Sequence, residues 1–309
     1  MEDVAVILPV YNAGHYLDAA MQSVLSQTHA DFTFCIIDDG STDGSRSVLE
    51  RYAAKDSRIR FRSRENRGLI DTLNELAEMT GASYLIRMDA DDICEPQRFA
   101  ELVEFMQKND DCVACGSEVL LIDPCDRPLR KMGEKWMHEK IDAAHLAGAG
   151  GAIIHPASII RASAFKTVGG YRKKYTHAED IDLFLRLAEL GRLANLPLTL
   201  LRYRQHFSSI GYSNRLQQRR STLNAIQDAY TRRGIADAIV YEPEDAEPVT
   251  ERMVFSKWAW WALSAGHLAT ARHYTARVLA GNILSRDAWK LLACVLRGSV
   301  KSTHDRALG

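Results

Sequence analysis

The residues with the clearest chemistry are three acids in Asp89-Ala90-Asp91-Asp92. They follow at once on the apolar run Tyr84-Leu85-Ile86-Arg87-Met88. Carboxylates two positions apart at the end of a buried strand suit a hard divalent cation that carries a phosphate-rich ligand. In an open parallel sheet, ligands collect outside the carboxyl ends of the strands. The lone Cys112-Val113-Ala114-Cys115 has no partner pair and reads as buried thiols in a strand rather than a zinc or redox site.

The elements that must hold the acids can be read from periodicity. Val4 to Leu8, Phe32 to Ile37, Ile59 to Arg62 and Tyr84 to Met88 are short, β-rich runs. Between them, Tyr16 to Leu25, Ser45 to Ala54 and Leu69 to about Thr80 have helical spacing. Strands alternating with helices predict a parallel, right-handed βαβ sheet. Each strand then ends in a polar loop: Pro9-Val10-Tyr11-Asn12, Asp38-Asp39-Gly40-Ser41, Glu65-Asn66-Arg67-Gly68 and Asp89-Ala90-Asp91-Asp92. All four loops fall on one edge and line one crevice. Further on, helices are expected from Pro96 to Asn109 and from Ala178 to Leu190, with strands over Cys112 to Ile122, His155 to Ile160 and Leu196 to Tyr203. The stretch from Asp123 to Gly151 gives no clear pattern.

Taken together and in order, these motifs resemble glycosyltransferase family 2. To the loops above are added Ser26-Gln27-Thr28, Gly169-Gly170-Tyr171, Glu179-Asp180-Ile181-Asp182-Leu183 and Tyr203-Arg204-Gln205-His206. The resemblance covers Val4 to about His206. It implies an α/β chain of the GT-A fold, Rossmann-like, with a mostly parallel sheet flanked by helices, followed here by an all-helical C-terminal extension. It also implies inverting transfer from a nucleotide-sugar, usually a UDP-sugar, with Mg²⁺ or Mn²⁺. On this resemblance Asp39 binds the uracil ring and Tyr11 packs on the base. Asp89 faces the ribose, Asp91 binds the metal, and His206 helps to hold the metal or diphosphate. Pro9, Asn12, Asn66 and Arg67 complete the expected nucleotide-sugar site, Arg67 either as a ligand of diphosphate or base or as a surface charge. Asp180 matches the family's catalytic base, and its place at a helix start is favoured by the helix dipole. Glu179 touches the acceptor or raises the pKa of Asp180 by like-charge repulsion. Asp92 and Asp38 read as capping or turn residues, Asp182 as solvent-facing or structural, and His155 as structural.

The bulk numbers agree with an enzyme of this kind. The chain has 309 residues, 46% of them hydrophobic, and a net charge of −1, which gives no sign of nucleic acid as a partner. Residues 1–213 are expected to form the catalytic domain and 214–309 the helical extension, with a linker at about 240–250, where Glu242 to Pro248 is acidic and contains two prolines. The tail from Met253 onward carries eight Lys/Arg against two Asp/Glu and four of the five tryptophans. It reads as a helical cap that packs on the catalytic domain or forms a homodimer, or as a basic patch for peripheral membrane contact. No secretory signal or membrane span is visible, so a cytoplasmic enzyme is expected, with a saccharide or lipid-linked acceptor. An oxidoreductase is disfavoured because no G-x-G-x-x-G follows the first strand. A non-catalytic nucleotide-sugar-binding or scaffold protein should have lost Asp91 or Asp180, and both are present.

Overall fold

The computed structural model describes residues 4–207, 214–236 and 249–298. Its sheet begins with β1 (Val4–Val10), whose run of small and branched apolar residues is buried on both faces. β1 pairs in parallel with β2 (Thr33–Asp38) on one side and β4 (Tyr84–Arg87) on the other, and β2 pairs in parallel with β3 (Ile59–Ser63). The crossovers are α1 (Leu17–Leu25), α2 (Ser45–Ala53) and α3 (Leu69–Glu78). Because registers such as Val10↔Asp38 and Asp38↔Ser63 align the strand ends, the first three loops leave the sheet together.

Beyond β4 the sheet changes direction. Its order is β3-β2-β1-β4-β8-β6-β9-β5, with β5 (Ile93–Cys94), β6 (Cys112–Ile122), β8 (Ile159–Arg161) and β9 (Arg192–Arg204). β8 is antiparallel to both β4 and β6, and β5 is antiparallel to β9. The strand expected from His155 starts only at Ile159, after a 3-10 turn at His155–Ala157. Pro156 has no N–H to give a ladder, so the chain turns there first. The unpatterned stretch after Asp123 contains β7 (Pro128–Met132), which pairs with β6, and α5 (His138–Leu146). α4 (Arg98–Lys108), α6 (Ala162–Thr167) and α7 (Glu179–Leu187) complete the flanking helices.

Two compact units form. Among the described residues the first comprises 4–119, 132–203 and 214–236, and the second 120–131, 204–207 and 249–298. The helix α8 (Arg215–Arg233), read from sequence into the C-terminal extension, packs within the first unit. Ala229 and Ile226 meet Ile181 and Leu185 of α7, and Arg233 donates to both carboxylate oxygens of Asp142 at 2.7 and 2.9 Å. The expected linker lies outside the described residues up to position 248.

The second unit is built from α9 (Glu251–Ser264), α10 (Leu268–Gly281) and α11 (Arg286–Arg297). Trp258 is fully buried against Phe255, Tyr274 and Phe207, all within this unit. Tyr274 donates its hydroxyl to the buried Asp123 at 2.5 Å, and Asp123 also accepts from the backbone N–H groups of Cys125 and Arg127. Burial and that carboxylate push the Tyr274 phenol well above its usual range, so it stays a donor. Among the described residues no helix is long and apolar enough to cross a membrane.

Candidate active site

The loop after β1 and the loop after β2 are stitched together. Asn12 donates its N–H to Ser41 Oγ at 3.0 Å and accepts from the Thr42 N–H at 2.8 Å on its side chain. Gly14 donates its N–H to Asp43 at 2.8 Å. Asn12 sits at φ +50°, a left-handed conformation that asparagine tolerates better than most side chains. Tyr11, beside it, leaves its ring 56% exposed, and Pro9 is half-buried at the strand end.

Asp39 binds the third loop. Its N–H donates to Val10 O at 2.7 Å, and its carboxylate accepts from the backbone N–H groups of Arg67 and Gly68, each at 2.9 Å, and from Arg64. Asp38 caps its own loop instead, accepting from Ser41 N–H at 3.0 Å and Ser63 Oγ at 2.7 Å. Between them Gly40 lies at φ +80°, and a Cβ there would stand 2.8 Å from the Asn66 nitrogen. The close approach of the loops therefore requires glycine at this point. Asn66 and Arg67 are exposed.

The acidic loop is held from beneath by two buried guanidinium groups. Arg87, 2% exposed at the end of β4, pairs with Asp89 at 2.5 Å and donates to Met88 O. Arg98 of α4, fully buried, donates to Arg87 O at 2.7 Å and to Pro156 O at 2.6 Å. Above this floor, ligand oxygens of Asp89, Asp91 and Asp92 lie within 4.8 Å of one another. Asp92 is fully buried, whereas Asp89 and Asp91 are half-buried. Three hard oxygen donors at that spacing, two of them reachable from solvent, fit Mg²⁺ or Mn²⁺. Burial raises the pKa of Asp89, opposed by Arg87 and reinforced by Asp91. That repulsion is what a cation would relieve.

Across from this loop, α7 opens with Glu179 and Asp180. Asp180 accepts from the Ile181 N–H at 2.8 Å, and burial raises its pKa; Arg87 lowers it and Asp89 raises it. Glu179 is pushed up to about 7, first by burial and then by Asp180. The two acid groups thus share one electrostatic neighbourhood, with Arg87 between them in effect. Tyr171 completes it: its hydroxyl lies 2.6 Å from His155 Nε2, and burial drives the phenol up and the imidazole well below its ordinary value. His155 is therefore neutral, and a hydrogen bond between Nε2 and the phenol oxygen joins the two side chains. The Tyr171 backbone is fixed by a reciprocal pair with Asn74, at 2.9 Å in each direction.

α7 itself is locked by Asp182, which is fully buried rather than solvent-facing. It accepts from Arg186 at 2.6 Å and from Arg172, and Arg186 in turn donates to Val168 O and Gly170 O at 2.7 and 2.8 Å. Residue 182 lies on the opposite side of the first turn from residue 180, so one acid anchors the helix while the other stays half-buried.

Of the residues singled out from sequence, the first unit brings together Pro9, Tyr11, Asn12, Asp39, Asn66 and Arg67 in three joined loops, and Asp89, Asp91, Glu179 and Asp180 in one charged neighbourhood. His206 belongs to the second unit. Sequence reasoning gave no role to Arg64, Arg87, Arg98 or Tyr203. Tyr203 has its phenol pushed far up by burial and then by Asp92, Asp89, Asp91 and Asp180, so it stays protonated near the acids. Arg87 left a signal, a cation inside an apolar strand run. Arg64 left none.

The family model for glycosyl transferase family 2 matches residues 5–169. An uncharacterised glycosyltransferase of Haemophilus influenzae is 34% identical over 215 residues, which are 66% of this chain and 65% of that protein. The chondroitin synthase of Pasteurella multocida is 25% identical over 260 residues, 83% of this chain but only 26% of the synthase. The chain thus spans just under two thirds of the first relative and a quarter of the second. Among solved structures, TarS 1–349 of S. aureus in complex with UDP-GlcNAc has a TM-score of 0.60 at 15% identity, covering 96% of this chain and 81% of that one. The mannosyltransferase PcManGT of Pyrobaculum calidifontis, in complex with GDP-Man and Mn²⁺, has a TM-score of 0.57 at 18% identity, covering 96% and 79%. The parallel half-sheet with its joined loops is a GT-A-like fold and, with the family model matched over more than half its length, the chain belongs to glycosyl transferase family 2.

Proposed function

We propose that the chain transfers a sugar from a nucleotide-sugar, a UDP-sugar, to a hydroxyl of a saccharide or lipid-linked acceptor, with inversion at the anomeric carbon, in the building of cell-surface polysaccharide or lipopolysaccharide. The observation that carries this reading is the shared electrostatic neighbourhood of Asp89 and Asp180. One acid group suits the donor side and the other the acceptor side of a single displacement. The named complexes of TarS with UDP-GlcNAc and of PcManGT with Mn²⁺, and the likeness to a polysaccharide synthase, support the choice of donor, cation and setting.

In this scheme the three joined loops bind the nucleotide. Asp39 accepts from the uracil ring, Tyr11 packs on the base, and Pro9, Asn12, Asn66 and Arg67 shape the pocket. Asp89, oriented by Arg87, faces the ribose. Asp91, with Asp92 behind it, would hold Mg²⁺ or Mn²⁺; His206, read from sequence as a further ligand, belongs to the second unit. When bound, the cation would supply charge neutralisation of the diphosphate leaving group. Asp180 takes the proton of the acceptor hydroxyl as general base. Its pKa, raised by burial and by Asp89, is brought nearer to the working range of a base, with Glu179 beside it on the acceptor side. The catalytic domain, expected from sequence over 1–213, would take in α8 as well, with the helical extension after it, in a cytoplasmic enzyme.

The test is a donor screen that scores nucleotide release, run beside a thermal-shift panel of UDP, GDP and dTDP with and without Mn²⁺. Mn²⁺-dependent stabilisation by UDP, lost in Asp91→Ala, is the expected result. No stabilisation by any nucleotide would overturn the reading.

A further inference from the structure

We propose that the second unit docks on an anionic lipid surface through the turn at Ile283 and Leu284 and the outward face of α11. This helix has two apolar stripes. Ala288, Leu291 and Val295 are buried in the unit. Trp289 and Leu296, seven residues apart and so on one face, are 50% and 72% exposed. Just before the helix, Ile283 is 66% and Leu284 88% exposed, the latter the most exposed large apolar side chain among the described residues.

The tip is built rather than frayed. Trp289 donates its indole N–H to Ile283 O at 2.7 Å, which fastens the turn to the helix. Leu284 N–H donates to Asn282 Oδ1 at 3.0 Å, and Ser285 caps α11 by accepting from Ala288 N–H at 3.4 Å. These bonds hold two aliphatic side chains out into solvent, at a cost that a folded monomer has no reason to bear.

The charge around the tip names the occupant. Arg286, Lys290 and Arg297 flank the apolar stripe, and the only nearby acid on the helix is Asp287, 3.4 Å from Lys290 in a pair exposed on both sides. Residues 249–298 contain seven Lys/Arg against two Asp/Glu. A second copy laid on this face would bring like charges together. A membrane surface offers phosphates to the cations and acyl chains to an exposed apolar tip. An interfacial tryptophan flanked by cations suits the headgroup level. The proposal stands on the second unit alone and does not depend on the transfer reaction.

The test uses the full chain in flotation assays with phosphatidylcholine vesicles, with and without about 30% phosphatidylglycerol. Binding should require the anionic lipid and weaken strongly in about 0.5 M NaCl. Leu284→Glu should weaken it about tenfold or more, and each of Arg286→Gln and Lys290→Gln about fivefold. Leu190→Glu, a change of an equally apolar exposed residue in the first unit, should leave binding unchanged. All four positions are on the surface, and circular dichroism would verify folding. No anionic-lipid dependence, or wild-type binding by Leu284→Glu, overturns the proposal. So does a solution dimer that Leu284→Glu dissociates without any change in vesicle binding.

Discussion

Asp182 offers the sharpest test of how the candidate site is held. In Asp182→Asn the volume is kept and the charge is lost. One oxygen of Asp182 accepts from Arg172 Nε at 3.0 Å and from Arg186 Nε and Nη2 at 3.1 and 2.6 Å, and the other accepts from Arg172. Whichever way the amide is turned, its NH₂ group faces guanidinium donors. Arg172 keeps a second carboxylate, Asp228 at 2.7 Å, and is partly exposed. Arg186 is 6% exposed and keeps only carbonyl acceptors. Burial already pushes Arg186 below its ordinary value, and Asp182 is the chief influence in the other direction. Removing one partner of a buried pair costs about 3–5 kcal/mol, and the surviving carbonyl bonds favour the lower end. At about 2–4 °C per kcal/mol for a large domain, the thermal midpoint should fall by about 6–10 °C. The assay is thermal unfolding followed by circular dichroism without nucleotide or metal. Turnover should fall as well, because Glu179 and Asp180 ride on the turn that Asp182 anchors. A midpoint lowered by less than about 2 °C would refute the argument that this buried network holds α7.

Three further outcomes are expected. Asp180→Asn should lower kcat by about 10²–10⁴-fold while UDP affinity, measured by calorimetry, stays nearly unchanged; near-wild-type turnover would remove Asp180 as the base. Glu179 has its pKa raised above the ordinary carboxylate value to about 7, so the folded chain binds its proton more tightly than the unfolded chain. Its contribution to stability is therefore full below about pH 4.5 and lost as pH rises through about 7, and Glu179→Gln should be more stable than wild type at pH 8 by of order 2–3 kcal/mol but not at pH 4. Urea denaturation at the two pH values checks this, and equal stability at pH 8 contradicts it. Gly40→Ala should cost about 1–3 kcal/mol, since the left-handed backbone and the Asn66 nitrogen both exclude a Cβ, and should raise KM for the donor more than it lowers kcat; a cost under about 0.5 kcal/mol would show that the loops can separate freely.

Much of this fold was legible because each local signal agreed with the next. Cys112–Ile122 was read from its apolar run and is a strand with those bounds. The first four strands and three helices shift by only a residue or two, since alternating β-rich and helical periods leave few alternatives. The region after Asp123 was illegible for a physical reason. β7 is an edge partner of β6 with mixed polarity, and α5 has little amphipathic contrast, so neither carries a strong period. α8 was legible as a helix but not as part of the first unit. Its surface is mostly polar, and what ties it down is a network of ions, Arg233 with Asp142 and Arg172 with Asp228, that no periodicity marks.

The sequence alone determined the chemistry that is on offer: which acids end β4 and open α7, and that the loops after β1 to β4 share one edge of a parallel sheet. Side-chain type and strand order suffice for that, because the ends of parallel strands must lie together. Only the tertiary structure decided how those acids differ. It buried Asp92 and Asp182 and left Asp180 half-buried. It set Arg87 and Arg98 beneath the acidic loop and brought Tyr171 and Tyr203 to the carboxylates from distant strands and turns. Charge in a protein interior takes its energy from what surrounds it, and the partners here lie tens of residues apart in the chain.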